Sequence, residues 1–316
     1  MSPEDEVNEF EERLRYVLSM HKADCRYWDW PQYAASLPPL EPRRFTTNQL
    51  AALQQETVST AMMMPPLLDQ SPTAEELDEA DYQEAYNSYQ NWYGEFQQTK
   101  QLASRILEGD LHAYGEVLQL FGPFSVIEEL GSSVEFILHS PKIAECQLVV
   151  HGMDVIPDYE KKLSKRGQVS SKKMARARFH EIYQDYVCGC MLRIVREVFA
   201  VLPFEHLLIT ASIEDEGMAE SVPVMSAIFP KSIISNVDLD NIDPSDCVES
   251  YVHRGDFKAT RKSEAFKSIV PLTVADVPLE NESELSLEQL ESSVDRMLQE
   301  ISNRRAGWSS KTKDVL

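Results

Sequence analysis

The chain has 316 residues, a formal charge of −22 and a hydrophobic content of 43%. That length and apolar content allow two domains with a properly buried core, and they exclude a disordered tail or a small cross-linked scaffold. The negative charge excludes global attraction to nucleic acid or to an anionic membrane, but leaves room for a local basic site.

No run approaches the roughly 18 to 20 consecutive apolar residues of a membrane-spanning helix. Met1 is followed by Glu4, Asp5, Glu6 and Glu9 rather than by a basic and then apolar leader. Five cysteines (Cys25, Cys146, Cys188, Cys190 and Cys247) lack a framework spacing and fit a reducing compartment. On a helix Cys188 and Cys190 point about 200° apart, so they cannot grip one metal together. The expectation is a cytoplasmic protein with no membrane contact.

From about Pro3 to Ala23, Val7, Phe10, Leu14, Val17 and Leu18 follow the spacing of an amphipathic helix. Trp28 and Trp30 come next, and Pro31, Pro38, Pro39 and Pro42 enforce an extended connection. Tryptophans so placed lock a helix to its neighbour more often than they stack bases. A second helix is expected from Asn48 to Met63, stopped by Pro65 and Pro66.

Thr73 and Glu76 then form a capping box, after which Tyr82, Tyr86, Tyr89, Tyr93 and Phe96 recur at spacings of 4, 3, 4 and 3. This reads as an aromatic stripe packed on another helix. A short helix from Asp110 to Leu120 and the breaker Gly122-Pro123 close a helical domain, residues 1–122.

Beyond Pro123 the period becomes extended. Ser125–Leu130, Ser133–Leu138 and Cys146–Val150 predict an antiparallel meander. After a polar loop, a helix from Ser171 to Leu202 has an apolar face wide enough to lie across a sheet. His206–Ile213 and Val222–Phe229 add two strands, joined by an acidic hairpin, and Pro244-Ser245 begins a short helix.

The fold class is therefore α+β: a helical N-terminal domain, then a mostly antiparallel sheet of about five strands packed on one long buried helix, residues 123–275. Residues 276–316 form an amphipathic helix and tail, with Leu287, Leu290, Val294, Met297 and Ile301 as a seam for the protein's own helices or for a partner.

Lys161, Lys162, Lys165, Arg166, Lys172, Lys173, Arg176 and Arg178 fall within a stretch that has no acidic residue, inside an acidic chain. Lys172 and Lys173 are expected in the first turn of the long helix, whose free N–H groups favour anions. A thinner cluster holds His253, Arg254, Lys258, Arg261, Lys262 and Lys267. If the clusters meet, they make a binding surface for a phosphate backbone or an acidic protein; otherwise they are solvated loops or internal salt bridges.

A second reading is a metal-dependent nuclease of the restriction-endonuclease-like type. Helix, three strands, helix, strand is the element order of that class, with carboxylates on the second and third strands. Here Glu135 supplies the first carboxylate, and Glu145-Cys146-Gln147 stands where that class has Glu-x-Lys. Glu135 and Glu145 would hold Mg or Mn and activate water, with Gln147 in the place of the usual lysine. Phage defence would suit such an enzyme.

His151 with Asp154 is a weaker base-and-orienter pair, and the seven histidines contain no HxxxH or HExxH spacing. No Walker loop, GxGxxG or GxSxG is present.

Val155-Ile156-Pro157, Ser170–Met174, Phe179–Cys188, Arg193–Pro203, Ile242–Asp246, Val252-His253-Arg254, Asp29-Trp30 and Pro38-Pro39 together resemble a family of bacterial cytoplasmic proteins with no assigned activity. The similarity covers most of residues 15–265 in patches. In some members this region follows a small unrelated N-terminal module. The resemblance implies a bacterial cytoplasmic origin and carries over no catalytic residue.

The residues favour a non-enzymatic accessory or regulatory interaction protein that needs no cofactor. Lys172, Lys173, Arg176 and Arg178 are its contact residues, and its partner is a protein, a second copy of the chain, or nucleic acid held by the basic patch.

Overall fold

In a computed structural model the described residues are 2–22, 25–44, 46–51, 72–121, 133–214, 221–257 and 265–278. They form an α+β protein in two compact units, one of Trp28–Glu116 and the other of Met1–Tyr27 with Val117 onward. The expected tail helix, the expected strand Ser125–Leu130 and most of the expected helix Asn48–Met63 lie outside the described residues, although 47–51 are helical.

The unit of residues 28–116 is built on α2 (Trp30–Ala35) and α3 (Ala74–Leu107), which pack together. Thr73 caps α3 as its spacing predicts. Its hydroxyl accepts from Glu76 N, and the Glu76 carboxylate accepts from Thr73 N at 2.8 Å. Asp78, though buried, accepts from Asn48 N and Gln49 N at 2.9 and 3.1 Å, so its charge satisfies the start of the 47–51 helical turn. The Trp28 and Trp30 rings stack on each other at 5.2 Å, and Trp30 is buried. The boundary between the units falls within α4 (Leu111–Phe121).

The other unit contains α1 (Pro3–Leu18), β1 (Ser133–Ser140), β2 (Ile143–Val150), β3 (Tyr159–Leu163), β4 (Val169–Lys173), α5 (Arg176–Val201), β5 (His206–Ile213), β6 (Val222–Pro230), α6 (Lys231–Ile234), α7 (Pro244–Glu249) and β7 (Val252–Arg254). Five strands form one sheet in the order β1-β2-β5-β6-β7, and β3 and β4 form a separate two-stranded ribbon. Three of the four pairings in the large sheet are antiparallel. β2 and β5 are parallel, which departs from a pure meander. A parallel pair needs a crossover, and α5 supplies it.

Central strands β5 and β6 are buried along almost their whole length, because both faces of the sheet are covered there. On one face Ile143, Leu208 and Ile228 cluster with Leu272 and Val277 of the returning C-terminal segment. The opposite face, with Cys146, Leu148, Leu207, Ile209 and Phe229, is left for α5. Helix α5 buries Tyr183, Tyr186, Cys188, Cys190, Met191 and Ile194, as its apolar pattern requires.

Although α1 precedes the long connection through residues 28–116, its partners are α5, β3 and β4. The expected helical domain 1–122 groups it with the other N-terminal helices, whereas its contacts group it with the sheet. Arg13 donates to Val155 O at 3.3 Å, and Glu6 pairs with Lys161 at 2.9 Å. Gly189 lets the end of the segment approach: a Cβ placed there would lie 3.4 Å from Met20 Cβ. An alanine at 189 would just touch Met20 and His21, and only a side chain longer than a methyl group would have to displace them.

Candidate functional site

The polar loop expected before the long helix is a hairpin. Register Tyr159↔Lys173, Glu160↔Lys172, Lys161↔Ser171, Lys162↔Ser170 and Leu163↔Val169 pairs β3 with β4. Gly167 closes the turn with φ +74°, a conformation that costs glycine nothing and an L side chain about 1 kcal/mol or more. The turn is tied by Ser164 N to Gln168 O at 2.8 Å and by Gln168 N to Ser164 Oγ at 3.1 Å.

This pairing corrects the expected position of Lys172 and Lys173. They lie in β4, and the helix starts only at Arg176, so no helix N-terminus stands beneath the two lysines. Arg176 and Arg178 do occupy the first turn of α5, which holds no acidic residue to complement the helix dipole. Glu160, across the hairpin, supplies that complement by pairing with Arg178 at 3.1 Å.

Lys161 is likewise taken, by Glu6 of α1. Lys162, Lys165, Arg166, Lys172 and Lys173 are exposed and have no carboxylate partner among the described residues. Lys162 and Lys172 share one face of the ribbon as diagonal neighbours, roughly 7–8 Å apart at the backbone.

The second basic cluster is different in kind. The Arg254 guanidinium donates to Val270 O at 3.3 Å and Pro271 O at 3.1 Å, and meets Asp276 at 3.3 Å, so it clamps the returning C-terminal segment. His253 Nδ1 lies 2.9 Å from Tyr251 O, and its ring packs on Phe257. Lys258, Arg261 and Lys262 lie outside the described residues. Neither described residue of the pair His253 and Arg254 offers an open cation.

The acidic candidates meet on the open part of the large sheet. Glu135 stands directly across from Gln147, and Glu145 lies two residues along on the same face, across from Ile137. Glu145 accepts from Gln147 Nε2 and is paired with His139 Nε2 at 2.9 Å. No lysine joins this group. Among the described residues no three His, Cys, Asp or Glu side chains converge as a metal site.

Register carries the same row across every strand: Glu135, Gln147, Thr210, Ser226 and Arg254 are successive partners. Exposed at β1, the row is fully buried at Thr210 and Ser226, where Ser226 Oγ lies 3.0 Å from Thr210 Oγ1 and accepts from Leu272 N at 3.1 Å. Polar groups in the middle of the sheet therefore hold the C-terminal segment, and only the β1–β2 end faces outward.

One group of titrating residues was missed by sequence reasoning. Asp185 of α5 lies beside the start of α7, where Ser245 Oγ is 2.7 Å from Asp185 Oδ1 and 2.9 Å from Asp243 Oδ1. Burial, and then the Asp243 and Glu181 carboxylates, push Asp185 up to about 7. This brings together Phe179–Cys188 and Ile242–Asp246, two of the stretches that carry the resemblance. The sequence signal for Asp185 was a pair of acids one helical turn apart, Glu181 and Asp185, at the edge of an apolar helix face. His21 is buried with neither ring nitrogen hydrogen-bonded, and burial followed by Lys22 lowers its affinity for a proton.

His151 accepts from the Tyr183 hydroxyl through its backbone oxygen at 2.6 Å. All five cysteines are free thiols. No helix among the described residues is long and apolar enough to cross a membrane. No family model matches the chain, and no curated protein or solved structure gives a match either.

Proposed function

We propose that the chain is a non-enzymatic accessory protein of the bacterial cytoplasm that holds a polyanionic partner on its β3–β4 hairpin. The observation that carries this reading is the set of five exposed cations, Lys162, Lys165, Arg166, Lys172 and Lys173, none of which forms an ion pair with a described carboxylate. In a chain of charge −22 such a set does not arise from overall composition.

The neighbours of those cations favour phosphate over an acidic protein. Ser164 and Gln168 stand with Lys165 and Arg166 at the turn, Ser170 shares a face with Lys162 and Lys172, and Ser171 shares the other face with Lys173. Hydroxyls, amides and cations are the groups that contact nucleic-acid phosphates. The cores of protein interfaces are instead poor in lysine and serine and rich in aromatic anchors.

The test is anisotropy of a labelled mixed-sequence DNA duplex with the full chain between about 50 and 200 mM salt. If all five cations meet phosphates, the logarithmic salt slope is about −4.5. The double variant Lys172→Glu/Lys173→Glu should abolish binding. Affinity that ignores that reversal, or that barely changes with salt, would overturn the assignment.

A nuclease is the second reading, favoured by one observation: Glu135 and Glu145 share the outward face of β1 and β2. Gln147 in the lysine position, already donating to Glu145, weighs against it. Those two carboxylates are the residues that would hold Mg or Mn.

A further inference from the structure

Among the described residues the aromatic stripe of α3 is not covered along its whole length by a second helix. Tyr82, Tyr86, Tyr89, Tyr93 and Phe96 form a continuous ladder, with successive ring centres 5.9, 6.1, 5.7 and 6.2 Å apart. Angles of only 25–35° between neighbouring planes give the rings a similar orientation rather than a herringbone.

Cations of the chain itself occupy both ends. The Arg44 guanidinium carbon stands 5.0 Å from the centre of Tyr82, and Lys100 Nζ stands 5.6 Å from the centre of Phe96. Among the described residues no cation stands over the three central rings.

Those central rings open instead onto a groove of about 540 Å³, lined by Tyr86, Tyr89 and Tyr93 with Glu41, Gln90, Gly94 and Gln97. A Cβ added at Gly94 would meet no atom of the described residues within 4 Å, so among them the floor is open there. Glu41 lines the groove beside the rings, and desolvation, and then its carboxylate, hold the Tyr89 phenol above its ordinary value.

We propose that this groove is a binding site for an arginine side chain of a basic partner protein, stacked on Tyr86, Tyr89 and Tyr93 with Glu41 as its counter-ion. A ring face attracts cations through its quadrupole, and a neighbouring carboxylate adds charge selection. Guanidinium fits better than ammonium because it is planar and weakly hydrated, so it can stack on a ring while its edge donates to the carboxylate. The Arg44–Tyr82 contact shows the same strip accepting that group. The excess negative charge of the chain would draw a basic partner towards it. This site is independent of the hairpin, and either can fail without the other.

The experiment is calorimetric titration of the full chain with an arginine–glycine peptide, with lysine–glycine and glutamate–glycine peptides of equal length alongside. The arginine peptide should bind several-fold more tightly than the lysine peptide, and the glutamate peptide not at all. Tyr89→Leu should weaken binding about tenfold, and Glu41→Gln about fivefold. Tyr89→Phe, which keeps the ring, should bind within about twofold of the parent.

Gly94→Leu should fill the groove and remove binding. It also replaces a poor helix former with a good one, so lost folding cannot explain the loss. Binding that survives both Tyr89→Leu and Gly94→Leu would reduce the effect to general charge attraction and overturn the site. Equal affinity for lysine and arginine peptides would overturn the choice of guanidinium.

Discussion

Replacing Asp185 with asparagine tests the carboxyl pair between α5 and α7, in which Asp185 is half-buried and Asp243 exposed. Asp185 ionises near 3.8 when its surroundings are ordinary, whereas burial and the carboxylates of Asp243 and Glu181 raise it to about 7 in the fold. An acid with a raised folded value binds a proton more tightly folded than unfolded. Stability is therefore greatest below the unfolded value and falls by about 1.4 kcal/mol for each pH unit up to the folded one.

Between pH 5 and pH 8 the parent should lose about 2–3 kcal/mol from this group alone. The substituted amide carries no charge, keeps an oxygen for the Ser245 hydroxyl and can donate to Asp243. Urea denaturation of both proteins at the two pH values isolates the effect, because every other titrating group cancels in the difference. Asp185→Asn should be close to neutral at pH 5 and clearly stabilising at pH 8. A difference that is the same at both values would refute the proton-sharing account.

Ser226→Ala should cost roughly 1–3 kcal/mol in a denaturant titration, because it strands the buried Leu272 N–H and the Thr210 hydroxyl. An unchanged midpoint would mean that the returning segment is not held by that serine. For the second reading, the purified chain is incubated with DNA and RNA in Mg²⁺ or Mn²⁺. Cleavage should disappear in Glu145→Ala, and no cleavage by the parent, or cleavage that survives the change, removes the nuclease.

Elements whose signals are local were legible in the sequence. Thr73 and Glu76 announced the start of α3, and Pro244 the start of α7, because caps act within one turn. Strands β5 and β6 showed as apolar runs because both their faces are covered.

The β3–β4 ribbon did not show. Its residues Lys162, Ser170 and Lys172 are exposed and share a face with the half-buried but charged Glu160, so no alternation of apolar and polar residues marks it. Pairing with β3 then takes Ser171–Lys173 away from the helix that their sequence position suggested. Gly167 after Lys165-Arg166 was the one available turn signal.

The basic residues stood out as a group because their stretch holds no acid, but which of them stay open depends on Glu6 and Glu160. Glu6 lies far away in the chain, and cross-strand register governs Glu160. Likewise, the nuclease candidates were on one face as that reading needs, while the direct partner of Glu135 proved to be Gln147. The Asp185 cluster was invisible because it joins segments 60 residues apart.

The contact of Arg196 with the backbone of His21 spans 175 positions. At a translation rate of roughly 5–20 residues per second, the first helix waits on the order of 10–35 s before its docking groove on α5 has been synthesised. During that interval Val7, Val17 and Met20 have nothing to cover them, so a nascent chain of this protein should be a client for holding chaperones well before its sheet begins to assemble.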